Sequence, residues 1–85
     1  MKLNLKKVAT KYSAVIEGYN VEFGWYDSGK AFIAKDYELL SYAEAWRKFV
    51  PKRAFFLWNN FLIDGTYYHK SLDGIVRYLR DNYCR

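Results

Sequence analysis

The stretch that most constrains the fold is Phe61-Leu62-Ile63-Asp64-Gly65-Thr66-Tyr67-Tyr68-His69-Lys70-Ser71-Leu72. An apolar run meets Asp-Gly, a pair that accepts the positive φ angles of a tight hairpin turn, and an aromatic run follows. Ser71 then offers a side-chain oxygen to the free amides of a helix start. Leu72, Ile75, Val76 and Leu79 recur at i, i+3, i+4 and i+7, so one stripe of this helix seeks a core. Asp73, Arg77, Arg80 and Asp81 fall on its water-facing side. Gly74 weakens the first turn as a helix former, and a close helix–sheet contact would account for it.

The same order appears upstream. Ser41 and Glu44 have the Ser-x-x-Glu spacing of a capping box, and Tyr42, Ala45, Trp46 and Phe49 repeat the apolar stripe. Pro51 stops this helix because it lacks an amide hydrogen. Shifted by thirty residues, Ala31-Phe32-Ile33 overlies Phe61-Leu62-Ile63, Tyr37 meets Tyr67, Ser41 meets Ser71 and Arg47 meets Arg77. Only four of the twenty pairs between 31–50 and 61–80 are identical, so the echo is a weak ββα internal repeat and does not establish common descent.

Ahead of these units, Lys2–Val8 reads as a first strand, Ala9-Thr10-Lys11 as a connection and Tyr12–Glu17 as a second strand. Gly18-Tyr19-Asn20 supplies a turn. From Asn20 to Asp27 the alternation puts Val21, Phe23 and Trp25 on one face and Glu22, Gly24 and Tyr26 on the other. Asp27-Ser28-Gly29 turns the chain into Lys30–Lys35. Residues 52–60 fit both periods, but Phe-Phe-Leu-Trp followed by Asn-Asn favours a strand and a turn. These signals predict one compact α+β domain over 1–85. Its small antiparallel sheet has a meander near 2–35 and a hairpin near 54–69, with two amphipathic helices, about 41–50 and 71–82, packed on one face. With 85 residues there is material for a single core, and 18 aromatic side chains enlarge it.

Several classes of function find no support. The chain has no apolar run long enough for a membrane span, and Met1–Lys7 lacks the apolar segment of a secretory signal. One cysteine, Cys84, cannot make an internal disulfide, which points to a reducing cytoplasm. No spacing suits zinc or calcium, and the isolated glycines form no phosphate loop, so no metal and no cofactor are expected. His69, Ser71 and Asp73 contain the residue types of a catalytic triad. Ser71 is already needed as a helix cap and Asp73 suits a helix start, so an enzyme is not expected.

Charge carries the remaining signal. Residues 1–16 sum to +4, 17–44 to −4 and 45–85 to +5, so the basic ends enclose an acidic middle. Arg47, Lys48, Lys52 and Arg53 form the densest basic cluster, beside Trp58. Trp46 belongs to the first helix's core stripe, leaving Trp58 and Tyr26 as the surface aromatics, while Arg77 and Arg80 line the exposed side of the last helix. Tyr, Trp and Arg are enriched at binding hot spots. The expectation is a non-enzymatic binding module whose partner is another protein, working as a monomer or homodimer through the region Arg47–Trp58. In size and composition it is similar to small inhibitor proteins of phages and mobile elements that act on host or defence factors. The alternative partner is nucleic acid, single-stranded or duplex, held by the same cluster together with Lys2, Lys6 and Lys7.

Overall fold

The computed structural model describes residues Lys2–Cys84. Strands β1 (Val8–Ile16), β2 (Tyr19–Tyr26), β3 (Ala31–Lys35) and β4 (Glu38–Leu39) form an antiparallel meander in chain order. Helix α1 (Tyr42–Phe49) leads into a second antiparallel sheet of β5 (Phe55–Phe56), β6 (Asn60–Ile63) and β7 (Thr66–His69). Helix α2 (Leu72–Tyr83) ends the described chain. The α+β class is thus as the sequence predicts, with the strands shared between two sheets. The order ββα occurs twice, as β3-β4-α1 and β6-β7-α2.

Local chemistry accounts for the boundaries. Glu17-Gly18, Asp36-Tyr37 and Asp64-Gly65 have positive φ at both positions (52° and 82°, 50° and 68°, 48° and 86°). Such turns match the right-handed twist of the strands they join. Asp36-Tyr37 does this without a glycine. It is held from both sides: the Asp36 amide donates to the Asn20 carbonyl and the Tyr37 carbonyl accepts from Leu3 N–H, each at 2.8 Å. At α1 the capping box is complete, with Glu44 N–H donating to Ser41 Oγ and Ser41 N–H to Glu44 Oε1, both at 3.2 Å. These bonds hold the Glu44 carboxyl below its usual range, the backbone bond to Ser41 contributing most.

The N-terminal third departs from expectation. Lys2–Val8 is not a strand: Lys2 makes a single bridge to Glu38, and Leu5–Lys7 is a short 3-10 turn. The Asn4 side chain accepts from Lys6 N–H at 3.1 Å, a local bond that competes with sheet pairing. Ala9-Thr10-Lys11 is no connection either. β1 runs through it, with Thr10 paired to Trp25 and Lys11 to Gly24 after a register shift at Val8–Thr10. A Cβ on Gly24 would overlap the Thr10 carbonyl oxygen, so the glycine permits this irregular pairing. The first turn lies at Glu17-Gly18 rather than Gly18-Asn20, since Ile16 pairs directly with Tyr19.

The main core lies between the facing sides of the two sheets and the helices. It contains Val21, Phe23 and Ile33 from the meander, Phe61 and Ile63 from β6, Ala45 from α1, and Ile75, Val76 and Leu79 from α2. Phe61 stacks on Tyr68 at 5.4 Å between ring centres and meets Trp46 edge-on at 5.2 Å. A second, smaller core occupies the other face of the meander. There Leu3 covers Phe32 and Ala34, with Val8, Tyr26 and Leu39 around them. The alternation read along β2 is correct, but the second face is not wholly open: the N-terminal segment straps Phe32 and Ala34 on it, while Val15 at its far end is exposed.

On this face Glu22 is only 4% exposed, and its Oε1 has no hydrogen-bond partner among the described residues. Its cross-strand neighbours, Ser13 and Ala34, are small. Such a group retains the desolvation penalty of burial without the compensation of a bond.

Candidate interaction surface

The four most exposed aromatic residues, Trp58, Phe55, Tyr67 and Phe56, gather on the β5–β7 sheet, while Tyr19, Tyr37, Tyr42 and Tyr83 are exposed elsewhere. Side chains alternate along its strands, so paired residues share a face. Phe56, Phe61 and Tyr68 form one rank, in which Phe61 and Tyr68 are buried in the core. Phe55, Leu62 and Tyr67 form the other, pointing away from it. Phe55 is 71% exposed and Tyr67 64%, while Leu62 between them is half-buried. At the β5–β6 turn, Trp58 is 90% exposed. On the reverse side Phe61 and Tyr68 are buried and Phe56 is 51% exposed, so the outer rank is an apolar face turned away from the core.

Basic groups approach it from two ends. Lys52 and Arg53 are exposed in the segment entering β5, and Arg53 Nη1 lies 3.1 Å from Asp64 Oδ1 at the β6–β7 turn. Both partners are solvent-exposed, so the pair contributes little to stability, about 0–1 kcal/mol. At the opposite end Lys70 N–H donates to the Asn59 carbonyl at 3.0 Å, which brings that lysine's backbone beside the Trp58 turn. Arg47 and Lys48 are exposed on α1, whose Trp46 packs on Phe56 at 5.4 Å. Trp46 is therefore a packing residue and Trp58 a surface one, as their sequence positions suggest.

The other sequence candidates lie elsewhere. Arg77 and Arg80 sit over the Trp25 ring at 5.3 and 5.7 Å. Trp25 Nε1–H donates to Asp73 Oδ1 at 2.6 Å, and Arg77 Nε donates to Asp73 Oδ2 at 2.9 Å. Burial pushes the Asp73 carboxyl upward, but the bonds from Arg77 and Trp25 outweigh it and leave it below its usual range. This cluster ties α2 to β2. Tyr26 packs against Phe32 in a tilted arrangement, 4.9 Å between ring centres, on the strapped face of the meander and is half-buried there.

Of the groups considered for chemistry, Ser71 and Asp73 have structural partners, and His69 is exposed. Ser71 Oγ accepts from Gly74 N–H at 3.1 Å, and Asp73 is taken by Trp25 and Arg77. Tyr68 is pushed up to about 12, first by burial and then by its bond to Asp81, whose Oδ2 accepts from the hydroxyl at 3.0 Å. Among the described residues no group of His, Cys, Asp and Glu side chains is placed to hold a metal ion, and no helix is long and apolar enough to cross a membrane.

Sequence reasoning selected Trp58, Lys52 and Arg53 but passed over Phe55, Leu62 and Tyr67 as a set. Their separation along the chain hides a juxtaposition that only strand pairing creates. Comparison of the chain with protein-family models, with curated proteins and with solved structures gave no match.

Proposed function

We propose that this chain is a non-enzymatic binding protein. Its outer β5–β7 face docks a protein partner that presents an apolar projection within an acidic surround. The observation that carries this reading is the rank Phe55-Leu62-Tyr67, together with Trp58, 90% exposed at the β5–β6 turn of the same sheet. Such side chains present large rigid contact area at low entropic cost, and Trp and Tyr are over-represented at hot spots. Lys48, Lys52 and Arg53 favour an acidic partner through electrostatic steering, in keeping with the formal net charge of +5. The partner is one that a small intracellular inhibitor would engage.

The test is capture from nuclease-treated lysate by the wild-type chain and by a Phe55→Ser, Trp58→Ala, Tyr67→Ser variant of unchanged melting temperature. A partner held by the wild type and lost by the variant supports the reading. The same proteins on both overturn it. Charge reversal by Arg53→Glu weakens capture and reduces its salt dependence.

A second reading rests on the same face. Phe55, Tyr67 and Trp58 are exposed rings beside cations, the combination on which single-stranded nucleic acid stacks. It predicts saturable tryptophan quenching by single-stranded DNA or RNA that weakens steeply with salt and disappears in Trp58→Ala. No response at low salt removes it.

A further inference from the structure

The three-stranded sheet is not the only part of the molecule shaped for a ligand. On the strapped face of the meander a depression of about 450 Å³ opens between the N-terminal segment and the β2–β3 hairpin. Its apolar lining is Tyr26 and Leu39, and its remaining walls include Lys2, Lys7 and Lys30. A neighbouring depression of about 270 Å³ shares Tyr26, Lys30 and Leu39 and continues to Tyr42 and Leu72. The two together make one groove, with cations at one end and apolar side chains along its length.

These lysines come from three separate segments, and main-chain bonds hold each segment in place. Asp27 N–H donates to the Lys7 carbonyl at 2.8 Å, and Tyr26 N–H donates to the Lys30 carbonyl at 2.9 Å. Lys2 is bridged to β4 through Glu38, and next to it Leu3 N–H donates to the Tyr37 carbonyl. Counter-charge is short. Asp27 is the one acidic group lining the first depression, against three lysines. Arg53, Arg77 and Arg80 are each paired with an aspartate, whereas no ion pair among the described residues involves Lys2, Lys7 or Lys30.

We propose that this groove binds a small aromatic anion, a ring system bearing one carboxylate or phosphate. The lysines take the anionic head, and the ring lies along Tyr26, whose own ring is steadied by Phe32 at 4.9 Å. The groove's volume is in the range of small-molecule sites, which combine an apolar lining with a few placed polar groups. Aromatic rings favour offset or tilted contact with another ring over an aliphatic chain, which selects the ligand's body. This site is on the other sheet from the β5–β7 face, so it stands or falls separately from the docking reading.

The experiment is an amide NMR titration of the full chain with 2-naphthoate, with 2-naphthalenemethanol as the uncharged counterpart and inorganic phosphate as the ringless one. Saturable shifts at residues 4–7, 26–30 and 39 with 2-naphthoate, and binding weaker by about tenfold or more with either control, are expected. A Lys7→Glu, Lys30→Glu variant loses at least about tenfold in affinity, and Trp58→Ala binds as the wild type. Lys7 and Lys30 are exposed, so the fold should tolerate reversal; Lys7→Gln, Lys30→Gln serves if it does not. Equal binding of acid and alcohol, equal binding of phosphate alone, an unaffected lysine variant, or shifts centred on residues 55–67 would each overturn the proposal. So would the absence of saturable shifts.

Discussion

The two ββα units start from nearly the same instructions and reach different ends. Each has a Ser-capped helix with one apolar stripe, and thirty residues separate Ser41 from Ser71. At the third helical position they diverge: Glu44 in α1, Gly74 in α2. Glu44 closes a capping box at the surface, and α1 buries one residue, Ala45. Gly74 lets α2 settle onto the end of β7, where a Cβ would overlap the His69 carbonyl oxygen, and α2 buries five residues. The strands diverge in the opposite sense. Phe32, pointing outward from β3, is capped by Leu3 and 2% exposed, whereas Leu62, its counterpart on β6, lies in a rank with no segment of the described chain over it. One unit hides its outer face and carries a peripheral helix. The other packs its helix centrally and leaves Phe55 and Tyr67 on its outer face exposed.

Substitutions can break this contrast, and the largest effect belongs to the helix contact. Gly74→Ala would raise stability by about 1 kcal/mol on propensity alone. Here the overlap with rigid backbone should reverse the sign, with a loss of about 3 kcal/mol in urea unfolding. A stabilised variant would mean that α2 is not seated so closely. Removing the cover over Phe32 comes next. Leu3→Ala should cost about 2–3 kcal/mol and make the meander's outer face bind hydrophobic dyes. Unchanged stability would show that the strap does not cover that face.

Glu22 sharpens the comparison from the other direction, since the meander's outer face buries a carboxyl group with an unsatisfied oxygen. Replacing a poorly compensated buried charge with an apolar side chain of similar size is often stabilising. Glu22→Leu should therefore gain about 1 kcal/mol. A clear loss would mean that the carboxylate has a compensating partner in solution. Acid acts on a helix-start carboxyl in each unit, Glu44 in one and Asp73 in the other. The folded-state value of Asp73 is depressed, so its contribution is present above the unfolded carboxyl value near 4 and is lost as pH falls through the lower folded one. Asp73→Asn should flatten that part of the stability–pH curve, and an unaltered acid limb would place the dependence elsewhere. The smallest expected effect is at the open face. Trp58→Ala should change stability by less than about 0.5 kcal/mol, and a larger loss would put the ring in a core.

Much of the fold was legible because its signals are local. Ser41 with Glu44, Ser71, Pro51, Asp64-Gly65 and the two apolar stripes act through neighbours a few residues away, where propensity and capping are decided. The N-terminal error has an equally physical origin. Leu3 and Leu5 alternate with polar residues as a strand would, but alternation does not distinguish a residue that joins a ladder from one that plugs a neighbouring face. Leu3 does the second, and Asn4 folds the chain into a turn. Alternation likewise places Tyr26 on the outer face but does not show that it ends half-buried against Phe32.

For the candidate surface the division is similar. Composition and spacing alone marked Trp58 as free of any core stripe and gathered Arg47, Lys48, Lys52 and Arg53 into one basic stretch. Tertiary structure alone paired Arg77 and Arg80 with Trp25, aligned Phe55 with Leu62 and Tyr67, and brought Lys2, Lys7 and Lys30 to one groove. Turns, caps and amphipathic stripes depend on contacts within one or two turns of chain, which a sequence displays directly. Which apolar faces end up covered depends on how distant segments share a limited core, and that is decided only when the whole chain packs.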